Sequence, residues 1–301
     1  MRPVTAVANA QAGSSETEAV EAVVGLLRTH TDVRLARTEG EDDLREALSD
    51  ASGRLVVVLG GDGSLHAVVA MLDELDLLPD VQLALVPMGT GNDFARTIGM
   101  RRDHPREAAE QLLDSEPCSV DLVRDDRGRV VVNAVHVGIG AEAAVEAKPY
   151  KERLGPVGYA VGAAISGVKH KGFRAKVTVD GRQLRRRGRM IQVAVGNGRY
   201  IGGGAPLLPE ADPGDGLLDV AVSWSNPRLR RLAYAWRLRK GRHPYRDDVE
   251  YLRGREVTVV GEESRGNLDG EIDDARSSHA WRVEPGVLTM LLPRSPAPAQ
   301  D

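Results

Sequence analysis

The chain has 301 residues, is 42% hydrophobic and carries a formal net charge of −4, so it has material for globular cores and no global charge bias toward nucleic acid. Its single cysteine, Cys118, excludes an internal disulfide and a zinc site built on several thiolates, which suits a reducing cytoplasm. No run of about 18 apolar residues is present, so no membrane-spanning helix is expected, and Met1–Ala8 reads as a first strand, not a signal-peptide core.

In chain order, Val4–Ala8 is a strand followed by a turn at Asn9–Gly13. A helix follows with Val20, Val23, Val24 and Leu27 on one face. Val33–Ala36 is a short strand, and Leu44, Ala47 and Leu48 mark a second helix. Leu55–Leu59 is a third, buried strand, and Gln82–Val86 a fourth, ending in Pro87. Strands alternating with helices imply a parallel sheet covered on both faces, with ligands at the carboxyl ends of the strands. After Cys118 the texture changes. Val130–Val135, Arg174–Asp180, Arg189–Gly196, Leu217–Val222, Glu256–Val260 and Val287–Leu292 read as strands, with a hairpin turn at Asp180-Gly181. Two helices interrupt them, Pro156–Val168 and Pro227–Lys240. The expected organisation is an α/β domain over 1–118 and a mainly antiparallel β domain over 119–294. The last strand is a candidate to return to the first domain, and 295–301 reads as a disordered tail.

Four segments carry chemistry. Gly60-Gly61-Asp62-Gly63-Ser64 sits where the third strand hands over to a helix carrying Leu65, Val68, Val69 and Leu72 on one face. Glycines there allow a sharp bend and close approach of a ligand, and the helix N-terminus suits phosphate. Asp62 is odd for a plain anion site and makes sense beside a nucleotide with a metal ion or a hydroxyl to hold. The second segment, Gly89-Thr90-Gly91-Asn92-Asp93-Phe94, again joins a strand to a helix. Alone, Asn92 or Asp93 reads equally well as a helix N-cap; two such loops at one sheet edge favour a ligand. The third runs from Gly202-Gly203-Gly204 to Asp212-Pro213-Gly214-Asp215-Gly216-Leu217. Asp212, Asp215 and the Leu217 carbonyl could hold a hard cation, and a polar hairpin turn explains the same residues. The fourth, Asp269-Gly270-Glu271, places two carboxylates on one side of an extended strand, one of them a candidate general base; a type I′ surface turn is the plain alternative.

Together and in this order, these segments resemble the diacylglycerol kinase family in its soluble bacterial lipid-kinase branch, over about Val4 to Leu292. The resemblance implies an NAD-kinase-like α/β domain, a β-sandwich-like second domain and an active site between them. It implies ATP and Mg²⁺ as cofactors and a membrane-derived lipid, diacylglycerol by default, as acceptor. It places Asn9, Thr38, Gly60, Gly61, Asp62, Gly63, Ser64, Thr90 and Asn92 at the nucleotide and Glu271 as the base. It makes Asp62 a second catalytic residue, Asp212, Asp215 and Leu217 a structural magnesium site, and Asp93 and Asp121 an acidic network joining that metal to the active site. It also implies a cytoplasmic protein peripheral at the inner membrane face, with no nucleic-acid partner and a homodimer as an option. Four positions depart from the pattern: Ala10 after Asn9, Ser64 for threonine, and Gly140 and Gly214 where relatives often carry acids. A soluble kinase of the NAD-kinase type shares only the first loop, and a non-catalytic lipid- or nucleotide-binding regulator is the reading from another class.

The helix Val157–Ile165 is small and apolar, suited to close packing or to an acyl groove. Pro227–Lys240 carries Leu229, Leu232, Ala233 and Trp236 on one face amid arginines, which fits either a solvated cover helix or contact with anionic headgroups. Arg185–Arg187 with Arg189 reads as a solvated edge guard, and His66 as a packing or capping residue.

Overall fold

The computed structural model describes residues 2–10, 14–138, 171–224 and 228–294. The expected helix at Pro156–Val168, the Val157–Ile165 segment and Gly140 lie outside them.

The α/β half begins with four parallel strands, β1 (Val4–Asn9), β2 (Val33–Thr38), β3 (Leu55–Gly60) and β4 (Gln82–Pro87), in the order β2-β1-β3-β4. Helix α1 (Ser14–Arg28) buries Val20, Val23, Val24 and Leu27, the i, i+3, i+4, i+7 face expected from sequence. Helices α2 (Glu41–Leu48) and α3 (Asp62–Glu74) contact each other, while α1 contacts α5 (Pro105–Leu113). That split follows from handedness. The chain leaves β1 in one direction for β2 and then crosses back beyond β1 to β3, and right-handed crossovers in opposite directions land on opposite faces. The reversal makes β1 and β3 the switch point, where open α/β sheets bind ligands.

The second half contains β6 (Val130–Val131), β7 (Ala134–Gly138), β8 (Ala175–Val179), β9 (Arg182–Gln183), β10 (Gln192–Gly196) and β11 (Leu218–Ser223). Helix α6 (Arg228–Leu238) and a 3-10 turn (His243–Tyr245) follow, then β12 (Val249–Gly254), β13 (Glu256–Ser264), β14 (Gly266–Leu268), β15 (Glu271–Ile272) and β16 (Arg276–Pro293). β7, β10, β11, β12, β14 and β15 form a six-stranded antiparallel sheet in the order β12-β11-β10-β7-β14-β15. It stacks on β8, β13 and β16 through Val135, Val193, Val220, Val257, Val259 and Trp281, a β-sandwich core. Asp180 and Gly181 both have positive φ between β8 and β9, which makes the expected tight hairpin.

Three expectations need correction. Val130–Val135 is two strands, broken at Val132-Asn133. The strand expected at Arg189–Gly196 starts at Gln192. The last strand is three times its expected length, because the alternation of buried His279, Trp281 and Val283 continues the pairing back to Arg276. β16 ties the halves together: it runs parallel to β4 (Thr289↔Gln82) and antiparallel to β13 and to β5 (Ser115–Asp125), so one ten-stranded sheet crosses both. β5 itself runs through the junction expected at Cys118. Among the described residues no helix is long and apolar enough to cross a membrane.

Candidate active site

The carboxyl ends of the parallel strands bring the first residues together. Asn9 pairs in register with Thr38, and Gly60 with Pro87. Between these ends and the second half lies a cleft of about 840 Å³, in the size range of small-molecule sites, lined by Asn9, Thr38, Gly63, Ser64, His66 and Glu271. Residues expected at opposite ends of the chain thus share one cavity.

The glycines of the first two loops serve a purpose different from the one expected. None of Gly60, Gly61, Gly63, Gly89 or Gly91 has positive φ. A Cβ on Gly89 would fall 2.7 Å from the Gly61 Cα, and one on Gly60 would fall 2.5 Å from the Ser64 Oγ. The loops touch backbone to backbone, and side chains there would force them apart. Gly63 is the exception, with open space around its missing Cβ and a place on the cleft wall.

Asp62, the unexplained acid, locks this contact. Its Oδ2 accepts from the Asp93 N–H and its Oδ1 from the Phe94 N–H, both at 2.9 Å, so it caps the short helix α4 (Asp93–Thr97). Asn92 takes a left-handed conformation, and its amide folds back on Gly89, accepting from the N–H at 3.1 Å and donating to the carbonyl at 2.6 Å. Asp93 is buried, and its Oδ2 accepts from the Gly203 N–H at 2.9 Å. Burial pushes this carboxyl above its ordinary value; the Gly203 amide opposes the rise and the neighbouring Asp62 charge adds to it. The three consecutive glycines Gly202, Gly203 and Gly204 all have positive φ, which is what lets that turn present its amide. Gly61, Asp62, Asn92 and Asp93 therefore hold the loops in shape and do not line the cleft; Thr90 is exposed and does not line it either.

Asp121 is also a clamp. Its Oδ2 accepts from Gly216 N–H at 2.6 Å and its Oδ1 from Gly286 N–H at 2.8 Å, pinning the Asp212–Leu217 turn to β16. That turn does not fit a magnesium ion as the resemblance implied. Asp212 Oδ1 is taken by Gly214 N–H and Asp215 Oδ1 by Leu217 N–H, each at 3.0 Å. Asp215 is also ion-paired with Arg253, whose Nε lies 3.5 Å from buried Asp219, so a guanidinium already supplies the positive charge. Among the described residues no three His, Cys, Asp or Glu side chains converge as metal ligands.

The Asp269-Gly270-Glu271 turn departs from expectation in orientation. Asp269 and Gly270 have positive φ between β14 and β15, a type I′ hairpin, so the two carboxylates do not face the same way. Asp269 turns inward and accepts from the N–H groups of Val132, Asn133 and Ala134 at 2.7, 3.0 and 3.0 Å. It also meets the His66 imidazole, Nδ1 to Oδ2 at 3.0 Å. Burial lowers the His66 pKa, but the hydrogen bond and charge of Asp269, with Glu271 adding, outweigh it and hold the imidazole above its ordinary value. Glu271 is exposed on the cleft wall.

Sequence reasoning missed His66, Arg127 and Arg129 as cleft residues. The arginines extend from the turn between β5 and β6 and are steadied by Asp273, at 3.1 and 2.8 Å. The Asp125-Asp126-Arg127-Gly128 turn was a readable signal; its position opposite the glycine loop was not.

Comparison with known proteins agrees with this architecture. The family model described as the diacylglycerol kinase catalytic domain matches residues 3–124, and the one described as the YegS C-terminal NAD kinase beta sandwich-like domain matches 133–292. A protein of Stenotrophomonas maltophilia named "Probable lipid kinase YegS-like" is 32% identical, over 87% of this chain and 86% of its own. A protein of Mycobacterium tuberculosis named "Diacylglycerol kinase" is 28% identical, over 97% of this chain and 95% of its own. A crystal structure from Bacillus anthracis superposes with a TM-score of 0.82 at 25% identity, covering 98% of this chain and 97% of that one.

Proposed function

We propose that this chain, which belongs to the YegS-like lipid-kinase branch of the diacylglycerol kinase family, transfers the γ-phosphoryl group of ATP to a hydroxyl of a membrane-derived lipid, with diacylglycerol as acceptor. The observation that carries the reading is one cleft lined by the start of α3 on one side and Glu271 on the other.

Each part has a stated task. ATP enters as its magnesium complex, a substrate, at the ends of β1 and β2 beside Asn9 and Thr38. Gly63 and Ser64 lie in the first turn of α3, where backbone N–H groups without helical partners face phosphate oxygens. The Ser64 hydroxyl adds a donor. Arg127 and Arg129 add positive charge to a wall that has no P-loop lysine. Glu271 accepts the proton of the lipid hydroxyl as its oxygen bonds to the γ-phosphorus, the bond from that phosphorus to the bridging oxygen breaks and ADP leaves. Such transfer depends mainly on positioning and charge neutralisation, and the base contributes about 10²–10⁴-fold. The structural magnesium implied by resemblance has no part in this scheme.

The test is label transfer from γ-labelled ATP to a total lipid extract supplemented with NAD, resolved by chromatography. A labelled phosphatidate supports the reading in full. A different labelled lipid keeps the lipid kinase and changes the acceptor. Labelled NADP instead, or no labelled product, overturns it.

A further inference from the structure

One side of the second half carries two features that the proposed reaction does not use. The first is on α6. Leu229, Leu232 and Trp236 are 81%, 66% and 59% exposed, although their i, i+3, i+7 spacing is that of a packed helix face. The opposite face is the packed one: Tyr234 and Leu238 meet Ile191 and Val249, and the Tyr234 hydroxyl donates to Gln192 Oε1 at 3.2 Å. Lys240 lies 4.4 Å over the Trp236 ring, so a cation borders the apolar stripe. Tyr245, in the 3-10 turn that contacts α6, is 76% exposed.

The second feature is a groove of about 670 Å³ beside β8 and β9. Arg174, Lys176, Arg186 and Arg187 line it with no Asp or Glu, over a floor that includes Trp224. Arg186 stacks on the Trp224 ring at 5.1 Å. The two features are continuous through Asp247: Arg186 donates to its carbonyl at 2.5 Å, and Arg230 of α6 donates to its carboxylate at 3.2 Å. The acids bordering this face already have partners, Glu262 with Arg189 and Asp248 with Arg246.

An exposed apolar stripe beside a groove whose charged side chains are all cations has the composition of a surface that meets an anionic bilayer. The apolar side chains enter the headgroup boundary while the cations meet lipid phosphates. A second protein copy would have to bury the same four cations without supplied acids, which the charge balance disfavours. We propose that α6 and the β8–β9 groove form the membrane-docking face of this chain, with anionic phospholipid as its partner. The proposal rests on the lipid-kinase reading for its purpose, though docking can be measured without turnover.

The experiment is vesicle flotation of the full chain, with Trp236 emission as a second readout; Trp224 and Trp281 are buried, so the exposed indole reports the contact. Binding to phosphatidylglycerol vesicles with a blue shift, weak binding to phosphatidylcholine, and reversal by salt are expected. Lys176→Gln with Arg187→Gln should weaken binding about 5-fold per charge. Leu229→Asp with Leu232→Asp should weaken it more than 10-fold, and Trp236→Phe should abolish the shift while leaving flotation. Activity of all variants on diacylglycerol in detergent micelles should match the parent. Unchanged flotation in both double variants overturns the proposal. So does protection of the groove by inorganic phosphate without vesicle binding, or loss of a dimer in the stripe variant with vesicle binding retained. If the parent floats but phosphorylates no lipid in micelles, the kinase reading fails and the docking face stands.

Discussion

The His66 imidazole and the Asp269 carboxylate lie 3.0 Å apart and join helix α3, which begins at the glycine loop, to the turn that carries Glu271. This contact fixes the distance between the two walls of the cleft. Asp269 is otherwise saturated by three backbone amides of the Val132–Ala134 segment, so the turn is anchored in the second half and His66 reaches it from the first.

Replacing His66 with alanine should therefore loosen the placement of Glu271 without removing it. The expected loss is about 1–2 kcal/mol of stability, the value of a charge-assisted hydrogen bond, with kcat falling about ten-fold more than KM changes. Because the folded pKa of His66 is raised, its contribution is full below the unfolded value of about 6.5 and is lost as pH rises through the folded value. Denaturation of parent and variant across that range should show their stabilities converging at high pH. A constant gap would contradict the ion pair.

The glycine loops permit a test that separates packing from ligand contact. Gly89→Ala places a Cβ against the Gly61 Cα and should cost about 1–3 kcal/mol, read by chemical denaturation. Gly63→Ala meets nothing within 4 Å and should leave stability unchanged or slightly improved. Nucleotide affinity should nonetheless fall in the Gly63 variant, because its new methyl enters the cleft. Unaltered affinity there would move the phosphates elsewhere.

Asp219 gives a pH signature of opposite origin. Burial raises its carboxyl to about 6, which the nearby Tyr251 hydroxyl only partly offsets. A raised acid binds its proton more strongly when folded, so stability falls as pH climbs from about 4 to about 6 and stays lower above. Asp219→Asn should remove that slope and be more stable than the parent at pH 8, by about 3 kcal/mol. A parallel pH profile in the variant would show that Arg253 already neutralises Asp219 fully.

Arg253 offers a test of whether the Asp212–Leu217 turn takes a metal. Chelator should leave the melting temperature of the nucleotide-free protein unchanged. Arg253→Gln should lower stability by about 1–2 kcal/mol, discounted because the guanidinium is partly exposed. A parent protein that melts earlier in chelator would restore the magnesium site.

Much of the architecture was legible because hydrophobic period and turn chemistry are local. The α1 face, the β1–β4 strands and the Asp180-Gly181 hairpin all follow from residues within one element. Of the residues the family pattern names, Asn9, Thr38, Gly63, Ser64 and Glu271 line one cavity. What escaped depends on partners far along the chain. Asp62 looked like a metal or hydroxyl ligand because nothing nearby reveals that Asp93 and Phe94 offer it their amides. Asp215 looked like a metal ligand because Arg253 is on another strand. β5 was hidden by Glu116 and Pro117, and the first half of β16 by Ser278, Ala280 and Arg282 alternating with His279, Trp281 and Val283.

The central claim is that Glu271 takes the proton of a lipid hydroxyl in a cleft whose other wall holds ATP. The most direct measurement compares the parent and Glu271→Gln for two quantities at once, phosphoryl transfer from γ-labelled ATP to diacylglycerol in micelles and equilibrium binding of the nucleotide. Turnover should fall about 10²-fold or more in the glutamine variant, with nucleotide affinity within a few-fold of the parent. Turnover near the parental rate in the glutamine variant would contradict the claim.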